Sequence, residues 1–444
     1  MNRWLARPVG VLVLSAALVV GAGLSLGGAE EAATTAGPPV PVEAVDVVGG
    51  APRGDLATTT TALQARLRRL PGDWQSWSSL GAVYLQQAST TADPTWYAKA
   101  EEAFARSLVE RPEGNDAALV GQAALAASRH DFPAARDLAE QALAVNAYSA
   151  SALGVLTDAH VELGDDDAAL TALQRMLDLR PGVPSYTRAS YSFELRGDLD
   201  GARAALEQAL RIAVDPADVA FAHRYLGELA FGQGDLAEAE RQFASGLQRA
   251  PDAPALLAGR ARVAAARGQT EAALRDWRDV VTRLPEAGYL TELGDLYAWL
   301  GRTAEAEEQY AVVRATEQLF VAAGADLDLE QALFAADHGD PAGALAAAER
   351  VWQDRRSVHA ADVYAWALHV NGRSAEARDV AVQAQRLGTR SALFDYHRGM
   401  IELAVGDAAA ARRSLTSALA LNPHFSVLHA PRAQAALAQL GGPV

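Results

Sequence analysis

The chain has no cysteine among its 444 residues and a single lysine, Lys99. The first absence excludes disulfides, thiolate metal sites, cysteine nucleophiles and anchorage through a lipid-modified N-terminal cysteine. The second leaves positive charge to arginine. It also excludes the Gly-Lys-Ser/Thr loop that cradles nucleotide phosphates, because Lys99 stands in YAKAE. Basic character is short too: Asp and Glu number 55 against 39 Lys and Arg, a net charge of −16. Phosphate recognition needs a basic face, so a nucleic-acid partner is excluded. No His-Glu-x-x-His pair is present, and nothing in the residue pattern calls for a metal or a cofactor.

What is there is mostly alanine-rich and helical in preference, with half of all residues hydrophobic. At this length the chain exceeds one ordinary compact core and is expected to be several domains or a repeat array. The N-terminus reads as an address. Arg3 and Arg7 precede a run without charge from Val9 to Ala29. A run of that length serves either as a cleaved signal peptide or as an uncleaved membrane anchor, with the rest of the chain exported. Residues 1–29 are assigned to this segment, and the Pro- and Gly-rich stretch 30–54 to a flexible linker. Contact with a membrane is expected through the N-terminal segment alone.

Beyond it the chain repeats. LGELAFGQGDLAEAERQF from Leu226 and LGDLYAWLGRTAEAEEQY from Leu293 start 67 residues apart, nearly two copies of one period. Gly164, Gly197, Gly234, Gly268, Gly301, Gly339, Gly372 and Gly406 follow one another at gaps of 33 to 38 residues. Just after each stands a residue able to cap a helix: Asp165, Asp198, Asp235, Thr270, Thr303, Asp340, Ser374 and Asp407. Asp235 with Glu238 has the spacing of a capping box. In the first helix of a unit, Leu290, Leu293, Gly294 and Tyr297 form one stripe, and in the second Ala239, Phe243 and Gly246 form another. Neither helix buries its stripe alone, so neighbouring units must stack.

This Leu-Gly, Tyr, Gly, Ala, aromatic, Pro pattern resembles the tetratricopeptide repeat family. The resemblance implies an all-α, right-handed solenoid of about ten helix-turn-helix units over residues 74–423. Units begin near Trp74, Asp116, Ala150, Val183, Ala220, Pro254, Ala287, Ala325, Val358 and Ala392. Residues 55–73 and 424–444 are expected to supply capping helices, the latter with a tail. His130 stands where a second unit would carry its turn glycine, the first unit has extra residues around Ser89 to Pro94, and Asp328 and Gln331 make the eighth first helix polar.

The resemblance also implies a function: a protein or peptide partner held on the concave face by first-helix side chains. Carried onto this sequence, that face is Asp158, Glu162, Tyr191, Glu194, Phe221, Arg224, Glu228, Phe231 and Arg262, then Thr291, Asp295, Trp299, Asp362, Trp366, His369 and Tyr396. Trp366 and Tyr396 are expected to stand open there, since Ala361, Tyr364, Ala365 and Leu368 supply the packing stripe. The lysine clamp that some relatives use for a carboxylate is missing. The function expected is therefore a non-enzymatic, exported interaction scaffold of a bacterial cell envelope. The alternative is an enzyme with a cryptic site near His424 and His429.

Overall fold

The computed structural model describes residues 24–25, 46–47, 53–325 and 329–441. The export segment, the linker and Asp328 otherwise lie outside the described residues; a single antiparallel pairing joins Leu24–Ser25 to Asp46–Val47. From Arg53 onward every regular element is a helix. Among the described residues no helix is long and apolar enough to cross a membrane.

Ten helix pairs follow one another, and they are numbered here as units 1 to 10. Their first helices are Trp74–Thr91, Asp116–Ser128, Ala150–Leu163, Val183–Leu195, Pro216–Gly232, Pro254–Ala266, Ala287–Trp299, Leu329–Asp337, Val358–Val370 and Ala392–Ala404. Their second helices are Thr95–Glu110, Phe132–Val145, Asp166–Leu179, Leu199–Ile212, Leu236–Arg249, Thr270–Arg283, Thr303–Ala322, Pro341–Asp354, Ser374–Ala384 and Ala408–Leu421. Arg53–Arg69 and His429–Gln439 flank the array. The fifth first helix starts four residues before Ala220, because Pro216 takes the first helical turn and Asp215 caps it. The eighth starts at Leu329 rather than Ala325.

The stacking is built on a glycine and a ring. The Phe104 ring of unit 1 lies between Gly81 and Gly121, and Phe243 of unit 5 lies between Gly227 and Gly259. A Cβ at Gly81 would stand 2.6 Å from the Phe104 ring. Glycine on the first helix thus lets the second-helix aromatic wedge between consecutive units, and that wedge fixes their spacing. Gly294 faces Tyr310 in the same way.

Inside each unit the turn takes a left-handed residue. His130 adopts φ 62° and Ala92 of unit 1 φ 52°, where the turns of units 3 to 10 place glycine, and the His130 ring stacks on Phe132 at 5.9 Å. The side chains of Asp131, Asp198, Asp235, Asp340 and Asp407 accept from the backbone N–H three residues on, at 2.8 to 3.1 Å. Thr270, Thr303 and Ser374 are not caps. The helix begins one residue earlier than expected there, capped at Gln269, Arg302 and Arg373 without a side-chain bond. Asp165 is a cap position that makes no side-chain bond of this kind, and Glu238 bonds Gln242 and Arg241 instead of closing the box on Asp235.

The array meets itself five units on. The Arg356 N–H donates to the Leu163 carbonyl at 3.1 Å, and the Arg355 guanidinium bonds Glu162. Thr389 donates to the Leu195 carbonyl, and Asn422 Nδ2 to the Phe231 carbonyl at 2.9 Å. Arg386 pairs with Asp166 at 2.6 Å. Each contact sets the loop after one of units 8, 9 and 10 onto the turn of unit 3, 4 or 5, at sequence separations of 191 to 194 for Asn422, Arg355 and Thr389. The last carbonyls of a helix have no partner within it, and loop donors from further along the chain fill that vacancy. Leu195, Val358, Ala361 and Phe394 form an apolar cluster beneath the contact.

Candidate site on the inner face of the first helices

First helices of neighbouring units lie side by side, so residues about 30 apart meet across them. Asp158 and Arg188 form a two-pronged pair, Nε to Oδ1 at 2.8 Å and Nη2 to Oδ2 at 2.7 Å. Burial pushes the Asp158 pKa up against the pull of Arg188. Further along, Arg224 Nε donates to Glu228 Oε1 at 2.9 Å, and Arg262 Nε donates to Glu292 Oε2 at 2.7 Å. Arg262 Nη1 stands 4.0 Å from Glu228, which joins the two pairs into one ladder across units 5, 6 and 7. Burial works against the charge of Arg262, yet Glu292 and Glu228 outweigh it and raise its pKa. Phe221 sits edge-on to Tyr225 at 4.8 Å, and the Arg224 guanidinium lies 5.1 Å from the Tyr225 ring.

Glu194 stands apart from this ladder. Its carboxyl accepts from the Ser190 hydroxyl at 3.1 Å. Burial pushes its carboxyl up to about 8, against Ser190 and with the charge of Glu228 adding to the rise. Tyr191 stacks on His359 of unit 9 at 6.3 Å and 16°, and burial lifts its hydroxyl well above 10. Asp158, Glu162, Arg188, Tyr191 and Phe132 line a cavity of about 20 Å³, room for one water.

At unit 7 the chemistry changes. Asp295 accepts from the Tyr310 hydroxyl and meets His338 Nε2, each at 2.8 Å. Burial opposes charge on His338, but the bond to Asp295 and that carboxylate's charge prevail, so its pKa is raised. Thr291 bonds only its own helix, at the Ala287 carbonyl. Trp299 is 50 % exposed.

Units 8 to 10 form a sealed ring cluster. Trp366 is 5 % exposed and Tyr396 1 %, so neither stands open as their register suggested. Trp366 Nε1 donates to Asp337 Oδ1 at 2.9 Å, and its ring stacks on His397 at 4.2 Å. His397 Nδ1 meets Asp362 Oδ2 at 2.9 Å, and His429 Nε2 meets Asp337 Oδ2 at 3.1 Å. Tyr396 stacks on His429 at 5.0 Å and lies tilted against Phe425 at 5.6 Å. The terminal helix and its approach close over these rings, which is why they are core. His369 lies against Trp366 at 5.0 Å, with burial and then the charge of His397 lowering it to about 4. Phe231 is buried at the turn where Asn422 docks. His429 is buried in this cluster and His424 is not part of it, so the two histidines do not build a shared open site. Among the described residues no group of three or more His, Asp or Glu is placed to hold a metal ion.

The structure therefore gathers the sixteen candidates into three groups. Arg224, Glu228 and Arg262 belong to the ladder of units 5 to 7 with Phe221 beside it, and Asp158, Glu162, Tyr191 and Glu194 lie before it on units 3 and 4. Asp295, Asp362, Trp366, His369 and Tyr396 belong to the buried aspartate, histidine and aromatic clusters. Phe231 and Trp299 lie at turns, and Thr291 remains on its own helix. Arg188, Tyr225, Glu292, Asp337, His338 and His397 were not singled out from sequence. Opposite charges 30 residues apart, as in Asp158 with Arg188 and Arg262 with Glu292, were the available signal.

Residues 120–184 and 191–254 match the family model described as tetratricopeptide repeat. Among curated protein sequences none matches. Similar solved structures include a thermophilic TPR protein of Thermus thermophilus, 26 % identical over 44 % of this chain and 98 % of that one, at TM-score 0.37. A type IV pilus biogenesis factor, PilW, is 20 % identical over 45 % of this chain and 92 % of its own, at TM-score 0.38. Yeast Tom70 is 13 % identical over 87 % and 96 %, at TM-score 0.36.

Proposed function

Because the chain carries tetratricopeptide repeats and stacks them as a solenoid, we propose that it is a non-enzymatic scaffold for protein partners. It is exported through residues 1–29 and works in a bacterial cell envelope, tethered or released according to whether that segment is cleaved. The observation that carries the reading is the inner face of units 4 to 6. There Glu194, Phe221, Arg224 and Arg262 offer a half-buried ring, guanidinium groups and a carboxyl group on one surface. Rings of this kind anchor peptides, and flanking charges set their register.

A photo-reactive benzophenone side chain placed at Phe221 tests it, with the same group at Glu240 on a second helix as control. Capture of a defined protein from Phe221 and not from Glu240 supports the reading. Equal products from both positions, or none from Phe221, would remove the inner face as the site. A reporter active only in the cytoplasm, fused after Gly54, tests export separately; strong activity would end that part.

A further inference from the structure

The contact that closes the array uses two unlike edges. One edge carries the turns within units, and the other carries the loops between them. Turns of units 3 to 5 are covered by loops after units 8 to 10, through Arg356, Thr389 and Asn422. Gly164 of unit 3 lies so close to Arg356 that a Cβ would strike its backbone.

Turns of units 6 to 10 are open. Nothing lies within 4 Å of a Cβ built at Gly268, Gly301, Gly339, Gly372 or Gly406, and all five are exposed. Trp299 stands two residues before Gly301, as Leu195 does before Gly197. Leu195 is 2 % exposed under its docked loop, whereas Trp299 is 50 % exposed.

The opposite edge is open in the first half. After units 8 to 10 the loops bury Val358, Thr389, Ser391 and Asn422 to 2 % or less. After units 1 to 3 the corresponding edge leaves Val109 65 %, Val145 45 %, Tyr148 80 % and Leu179 41 % exposed. Arg267, Arg302 and Arg373 beside the open turn glycines each pair with glutamates of the same chain, so the two edges offer a partner their apolar side chains.

We propose that a second copy of this chain docks head to tail, its first loops seated on the open turns of units 6 to 10. The joint repeats the loop-on-turn contact that the chain already makes within itself. It sets the exposed loop side chains of the first units, Val109 and Tyr148, against the turn of unit 7, with Trp299. The two surfaces differ, so the association is heterologous and can extend. Apolar area exposed on both edges is covered in the joint.

The absence of cysteine makes the test direct. Full-length Trp299→Cys and Tyr148→Cys chains are treated with a short bis-maleimide, separately and mixed, with Val109→Cys probing the adjacent loop. Little dimer from either chain alone, a one-to-one covalent dimer from the mixture, and a ladder from the doubly substituted chain are expected. Uncrosslinked wild type should gain mass with concentration, and Trp299→Glu should weaken that association about tenfold or more. Comparable dimer from each single-cysteine chain alone, no dimer with either loop position, or a wild type that stays monomeric would overturn the proposal. Circular dichroism of each variant confirms that the helices persist.

Discussion

Units 3 to 7 and units 8 to 10 line the same inner face with different chemistry. In the first stretch, arginine meets carboxylate across neighbouring first helices, as in Asp158 with Arg188 and Arg262 with Glu292. In the second, aspartate meets histidine beneath stacked rings, as in Asp337 with His429 and Asp362 with His397. Arginine stays charged and moderately hydrated while paired, so it suits a surface that remains partly wet. Stacked rings can be sealed from water altogether. One inner face therefore serves as a surface in its middle and as core at its end.

The largest expected effect is on the sealed end. Trp366→Ala removes a buried ring from between His369 and His397 and takes one donor from Asp337. Truncation of such a ring costs about 3–5 kcal/mol. Trp299→Ala, on the open turn, is expected to cost less than about 0.5 kcal/mol in the isolated chain. Urea melts of both variants, with hydrogen exchange to place the loss in units 8 to 10, measure the contrast. Equal losses would mean the two tryptophans are not core and surface.

Gly294→Leu comes next, in unit 7 where the two chemistries join. Its side chain would enter the space of the Tyr310 ring, whose hydroxyl also bonds Asp295. Overpacking of this kind costs about 1–3 kcal/mol or more. Stacked units pass damage to nearest neighbours, so units 6 and 8 should lose exchange protection before units 2 and 3. Loss spread evenly over the array would show that the self-contact five units away couples it more tightly than stacking does.

Much of this was legible in the sequence, and the limit has a physical form. Turn glycines, aspartate caps and the Gly294 wedge are local devices, and each shows in one unit's own residues. The placement of Trp366 depends on Asp337 one unit before, on Tyr396 one unit after and on His429 beyond the array. Register gives the direction of a side chain but not what closes over it. The caps expected at Thr270, Thr303 and Ser374 failed because each helix starts one residue earlier, with Gln269, Arg302 and Arg373 at the cap and no side-chain bond there. The self-contact between Leu163 and Arg356 involves residues with no common pattern, and no period in the sequence announces it.

The smallest expected effect concerns pH and the middle of the face. Burial raises the Glu194 pKa from 4.5 to about 8, against the Ser190 donor and with Glu228 as a like charge nearby. An acid with a raised folded pKa contributes stability that is fully present below 4.5 and is lost as pH climbs to about 8. His338 is also raised, so its contribution declines with rising pH in the same direction. Asp337 runs the other way. Burial alone would raise its pKa, but His429, His397 and the Trp366 N–H hold it below 3.8, so its contribution is lost only as pH falls through that lowered value. The middle should therefore weaken towards alkali and the sealed end towards acid. Glu194→Gln keeps an acceptor for Ser190 and cannot ionise. It should match the wild type near the unfolded pKa and exceed it above the folded one by about 1–2 kcal/mol, allowing for solvent screening. Urea melts of the pair across that interval read the difference. A constant gap at every pH would show that Glu194 stays ionised through the range, with its charge neutralised on the inner face.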